Sequence, residues 1–115
     1  MQLPFKIIIA AHQTGFINAV CGILRLLSLS CVITLTTDML EPLLEHLQKH
    51  DSHLLILGCD RENASFVIRE ARQRKPKLRV LWVGQSEEPL PEANCTLCEP
   101  MSALRLIDAV SRALK

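Results

Sequence analysis

Three groups of residues in this chain have the types and spacing for chemistry. His12 stands directly after the apolar run KIIIAA, Cys59 and Asp60 stand directly after HLLILG, and Cys95 and Cys98 form a C-x-x-C pair. A histidine where a strand gives way to a helix is placed for nucleophilic or proton-transfer work, provided that it has partners. The Cys95–Cys98 pair has the spacing of a redox or metal site. Residues three apart on a strand point to opposite faces, however, and no second pair completes a tetrahedron. Two packed thiols are the better reading. The one basic run, RQRKPKLR from Arg72 to Arg79, has no interleaved aromatic residues to stack on bases: the chain holds one Trp, three Phe and no Tyr. Cations at a helix end also gain from the helix dipole. A solvated helix terminus is therefore expected there, with no direct nucleic-acid binding by this domain.

The elements that must position these residues alternate between two periods. PFKIIIA, SCVITLT (Ser30 to Thr36), HLLILG (His53 to Gly58), LRVLWV (Leu78 to Val83) and CTLC (Cys95 to Cys98) read as five strands. Amphipathic helices are expected at about Gln13–Leu27, from a cap at Thr37 or Asp38 to about His50, at Arg61–Arg74, and from Pro100 to Leu114. Strands one, three and four are apolar without alternation, as in a sheet covered on both faces. The order predicts a single α/β domain over residues 1–115, an open five-stranded parallel sheet with helices on both sides. Between strands four and five lies GQSEEPLPEAN, whose Pro89 and Pro91 leave no room for a standard helix. A degenerate or missing helix is expected, and the segment from Ser86 to Asn94 is expected to be irregular and more mobile than its neighbours.

The 115 residues are 49% hydrophobic and 22% charged with a net charge of +1, which is the composition of a folded domain without a global bias toward polyanions. Five cysteines, an odd number, fit buried free thiols of a reduced cytoplasm. No signal peptide is legible, and Arg25 interrupts the longest apolar stretch short of the ~18 residues of a membrane span. A soluble cytoplasmic protein without membrane association is expected.

In an open parallel sheet, ligands bind outside the carboxyl ends of the strands. There the chain resembles a family. The order of elements, LLILG in strand three, Glu99-Pro100 and the helix MSALRLIDAVSRAL are similar to the receiver domain of bacterial response regulators, which has a flavodoxin-like fold. IIIAAHQTGF resembles the first loop of receivers that precede a LuxR-type helix-turn-helix. The resemblance places the family's paired Mg²⁺-binding acids on Ala10 and Ala11 and the phosphoaccepting Asp on Gly58. The Ser/Thr that answers the phosphoryl group falls on Gly84, and the Lys before Pro on Glu99. Phosphoryl transfer to a carboxylate needs a nucleophile, a hard cation and a positive charge on the phosphoryl oxygens. None of the five positions supplies one. The implied reading is an atypical, phosphorylation-independent pseudo-receiver with no metal, no cofactor and no catalysis of its own.

A second resemblance uses His12. Mannose-type phosphotransferase IIA domains begin with a strand ending in a phosphorylatable histidine and pair it with an Asp after a later strand, and IIIAAH with GCDRENASF is somewhat similar. That reading makes His12 and Asp60 a phosphocarrier pair, although Gln13-Thr14 stands where those domains keep small glycines. A small ligand bound at the same edge is a third possibility. The plainest reading of His12 is a helix-start residue hydrogen-bonded to backbone.

Helix one carries more apolar residues than a core needs, over an arc of about 220° where about 100° suffices. A second surface through Ile17, Cys21 and Leu24, with Leu104 of the last helix, is expected to form a two-fold homodimer. The first resemblance implies the N-terminal regulatory module of a transcriptional regulator, acting on a protein partner or an appended DNA-binding domain.

Overall fold

A computed structural model describes residues 5–26, 31–85, 88–99 and 102–114. Five parallel strands, β1 (Phe5–Ala11), β2 (Cys31–Thr37), β3 (Leu54–Gly58), β4 (Arg79–Gly84) and β5 (Cys95–Cys98), form one sheet in the order β2-β1-β3-β4-β5. Helices α1 (Thr14–Leu24), α2 (Leu40–Lys49), α3 (Arg61–Arg74) and α4 (Ala103–Ala113) cover it. The order reverses between β1 and β3, and this reversal opens a crevice at the carboxyl ends of those two strands. Among the described residues no helix is long and apolar enough to cross a membrane.

The period of two along each strand divides the core into two layers. Ile7, Ile9, Leu54, Ile56, Leu81, Val83 and Leu97 face Val20 and Leu24 of α1 and Leu106, Ala109, Val110 and Ala113 of α4. Ile8, Ala10, Leu55, Leu57, Val80 and Trp82 face Leu43 and Leu47 of α2 and Ala64, Ile68 and Ala71 of α3. Ile7, Ile8, Ile9, Leu54, Leu55 and Ile56 are all fully buried, which is why their run shows no polar alternation. The expected sheet, with helices on both faces, is the observed one.

Element boundaries differ from expectation by a few residues where capping decides them. The first turn of α2 begins at Leu40 rather than after Thr37 or Asp38, because Thr37 Oγ1 accepts the Met39 N–H at 3.1 Å and holds a turn outside the helix. At α4, Ser102 is the cap, its Oγ accepting the Arg105 N–H at 3.2 Å. Pro100, the expected start of that helix, lies outside the described residues, as do Leu27, Ser30, Ser86 and Glu87.

Between β4 and β5 the described residues 88–94 contain no helix, as the two prolines require. The described part of this strap is irregular, as expected, and contacts the rest of the fold along its length. Leu90 is 3% exposed and joins the core layer of Trp82. Arg61 donates to the carbonyl oxygens of Glu88 and Pro89, both at 3.2 Å, and Arg72 donates to that of Glu92. Ser65 donates to the Glu92 carboxylate at 2.8 Å, while Asn94 Oδ1 accepts from the Val80 N–H and from Arg72 Nη2. Within the strap the Ala93 N–H bonds to the Leu90 carbonyl oxygen at 3.0 Å, and side chains of α3 satisfy further carbonyl groups.

Candidate functional site

The carboxyl ends of β1, β3, β4 and β5 meet at a cavity of about 500 Å³ lined by His12, Phe16, Gly58, Asp60, Trp82, Gly84 and Glu99, among others. Ala10 and Ala11 end β1 at 6% exposure each and line an adjoining apolar pocket of about 200 Å³ that shares His12 and Cys59 with the first. The topology thus brings the five positions singled out in the sequence, Ala10, Ala11, Gly58, Gly84 and Glu99, to one edge. The Glu99 N–H donates to the Gly84 carbonyl oxygen at 2.8 Å, which locks the mouth of β5 against β4.

Both glycines face aromatic rings. A Cβ on Gly58 would lie 2.8 Å and 2.9 Å from two ring carbons of Phe16, closer than real methyl-to-carbon contacts allow. A Cβ on Gly84 would meet the indole of Trp82. Neither ring is loose. Phe16 packs against the α1/α4 core layer. Trp82 is 1% exposed, donates its Nε1–H to the Cys59 carbonyl oxygen at 2.9 Å, and lies under the Arg61 guanidinium, 5.9 Å from its centroid. The space in front of β3 and β4 is therefore held by rings rather than by polar side chains.

His12 and Asp60 line the same cavity, but the structure does not join them. His12 is exposed and makes no hydrogen bond among the described residues, including the backbone bond expected of it at the helix start. Asp60 Oδ1 accepts the Asn63 side-chain amide instead of orienting an imidazole. A histidine without an orienting partner gives the phosphocarrier reading no geometric support. At Cys59, burial, with the Asp60 charge added, pushes the thiol up to about 12 and so disfavours the reactive thiolate.

A divalent cation of the kind that receivers bind needs several oxygen ligands. Ala10 and Ala11 offer methyl groups, Gly58 offers no side chain, and the carboxylates of Asp60 and Glu99 are both exposed. The donor set does not fit such an ion. Among the described residues no cluster of three His, Cys, Asp or Glu side chains could hold a metal. Cys95 and Cys98 are free and half-buried, and Cys98 Sγ lies 3.3 Å from the Glu99 carbonyl oxygen.

The interface expected on α1 needs correction. Leu24 is 2% exposed and belongs to the core, and Ile17 and Cys21 are half-buried against the same layer. The helix is sunk between β1, β2 and α4, so its wide apolar arc is mostly consumed by packing. Leu104, at 80%, and Leu26, at 74%, remain exposed.

No family model matches the chain, and no curated protein matches it. Solved structures do. The response regulatory domain of protein mrkE from Klebsiella pneumoniae superposes with a TM-score of 0.80 at 15% identity, over 95% of this chain and 94% of that one. The signal receiver domain of an HD domain-containing protein from Pseudomonas fluorescens gives 0.79 at 14% identity, over 97% and 95%. The isolated REC domain of RcsB from Salmonella enterica serovar Typhimurium, in the presence of the phosphomimetic BeF3-, gives 0.79 at 14% identity, over 95% and 87%. The fold is the receiver fold. Against the longer RcsB response-regulator structure of Salmonella typhimurium, described for its DNA interaction, the chain spans 60% of that protein.

Sequence reasoning missed both aromatic fillers. Trp82 was within reach, since it lies two residues before Gly84 on one strand and so on one face. Phe16 was not, because its meeting with Gly58 depends on how α1 crosses the end of β3.

Proposed function

We propose that this is a receiver-like domain that signals without phosphorylation, the N-terminal regulatory and dimerisation module of a bacterial transcriptional regulator, with no catalysis of its own. The observation that carries the reading is the pair of rings. Phe16 and Trp82 occupy the space that a side chain at Gly58 or Gly84 would need, so the edge is repacked around their absence and not merely stripped of function. Gly58 offers no carboxylate on β3 to form an acyl phosphate, and Gly84 offers no hydroxyl on β4 to follow one. The helix that is missing between β4 and β5, with the strap pinned on α3, removes an element free to shift between two positions.

Such a domain acts through a standing interface rather than a switched one. The exposed Leu104 on α4 and Leu26 after α1 lie on elements that share one core layer, and a two-fold axis would let the same patch serve both copies. The deciding experiment is incubation with acetyl phosphate and Mg²⁺ followed by intact mass. Unchanged mass is expected. Addition of one phosphoryl group, lost in a variant of any carboxylate at this edge, would overturn the proposal. Sedimentation over a concentration series tests the dimer separately.

A further inference from the structure

We infer that the opposite edge of the sheet, at the amino-terminal ends of β1, β3 and β4, holds a binding site for a small organic phosphate. A cavity of about 570 Å³ lies there, and its wall includes Lys75, Lys77, Arg79, His53, Asp51 and Ser52. The basic run that the sequence displays as one block is split by the fold into two groups with different fates. Arg72 and Arg74 are used internally, on the strap and on Glu70. The turn after α3 carries the remaining cations, Lys75, Lys77 and Arg79, onto the cavity.

The charge balance there is uneven. Lys75 pairs with Asp51 at 3.2 Å, while Lys77 and Arg79 have no ion-pair partner among the described residues. Two unpaired cations match the charge of a phosphate monoester dianion better than that of a single carboxylate. Hydrogen-bond donors add to the cations. His53 Nδ1 accepts the Lys6 N–H at 2.9 Å, which sets the neutral tautomer and leaves the proton on Nε2, and the Phe5 ring meets the imidazole edge-on at 5.6 Å. Ser52 Oγ is buried with no hydrogen-bond partner, an unmet polar group on the wall of the same cavity. Phe5, Pro76 and Leu114 line the remainder and would cover an apolar body attached to the phosphate. None of these residues belongs to the carboxyl edge, so the site stands or falls independently of the function proposed above.

The test is a titration of the full chain with phenyl phosphate at constant ionic strength, followed by backbone amide shifts, beside equal titrations with benzoate and with a short DNA duplex. Saturable shifts confined to residues 51–53 and 75–79 are expected with phenyl phosphate. Affinity should fall at least tenfold in K77Q/R79Q, and measurably in K77Q alone, whose exposed site carries no folding risk. Affinity should be unchanged in R105Q, an exposed cation on α4. Shifts spread over all surface cations, or undiminished in K77Q/R79Q, would overturn the site. Equal or tighter binding of benzoate would overturn the assignment to phosphate, and tighter binding of the duplex at these amides would overturn a small ligand as the occupant.

Discussion

Replacing Gly58 with Ala tests whether the edge of the sheet has been repacked. Gly58 does not have a left-handed φ, so an alanine there has no backbone strain. By itself the change should stabilise the domain by about 0.4–1 kcal/mol, because the unfolded chain loses freedom. Against this stands the new methyl group, placed 2.8–3.1 Å from three carbons of the half-buried Phe16 ring, which must give up part of its packing against the core to make way. Overpacking of this kind costs about 1–3 kcal/mol. The net expectation is a loss of about 1 kcal/mol in the native background. In a Phe16→Ala background the ring is gone and only the entropic gain remains, so the same substitution should stabilise by about 0.5 kcal/mol. The sign reversal is the signature, with a coupling of about 1.5 kcal/mol within the range of double-mutant cycles for touching residues. Urea unfolding of the four proteins measures it, read as shifts in midpoint at constant slope. Stabilisation by Gly58→Ala in both backgrounds, or equal destabilisation in both, would refute the claim that Phe16 fills the site.

Three further expectations rest on other parts of the molecule. Asn94→Ala removes the acceptor for the part-buried Val80 N–H and for Arg72, and should cost about 1–3 kcal/mol while hydrogen exchange quickens across residues 88–94; slow exchange in the variant would show that the strap is held by other means. His46 bonds to Thr34 Oγ1 at 3.1 Å, and desolvation, with the neighbouring His50, lowers its pKa. A depressed histidine contributes stability that is present above its unfolded value near 6.5 and is lost as pH falls through its folded value, so His46→Gln should flatten the acid limb of a stability profile; an unaltered limb speaks against it. Leu104→Glu lies at an exposed position and should leave stability within about 0.5 kcal/mol while shifting any self-association toward monomer in sedimentation; an undisturbed dimer would remove α4 from the interface.

The sequence by itself determined the alternation of elements, the two-sided burial of β1, β3 and β4, and the loss of the helix before β5. Each of these follows from local patterns: runs of Ile and Leu without polar alternation, helical stripes, and two prolines two positions apart. It also placed Ala10, Ala11, Gly58, Gly84 and Glu99 at strand ends, because an open parallel sheet gathers its carboxyl ends at one edge. Tertiary structure decided the rest. The surplus of apolar residues on α1 looked like an interface, yet Leu24 is core, because the depth to which a helix sinks depends on its neighbours β2 and α4 and not on its own period. The strap between β4 and β5 looked loose because its two prolines rule out a regular helix, but its partners, Arg61, Ser65 and Arg72, lie on a helix some 20 or more residues earlier. Sequence can show that a side chain is missing from Gly58. Only packing across the end of β3 shows that Phe16 has taken its place, since a contact between an α1 ring and a β3 backbone has no local signature in either segment.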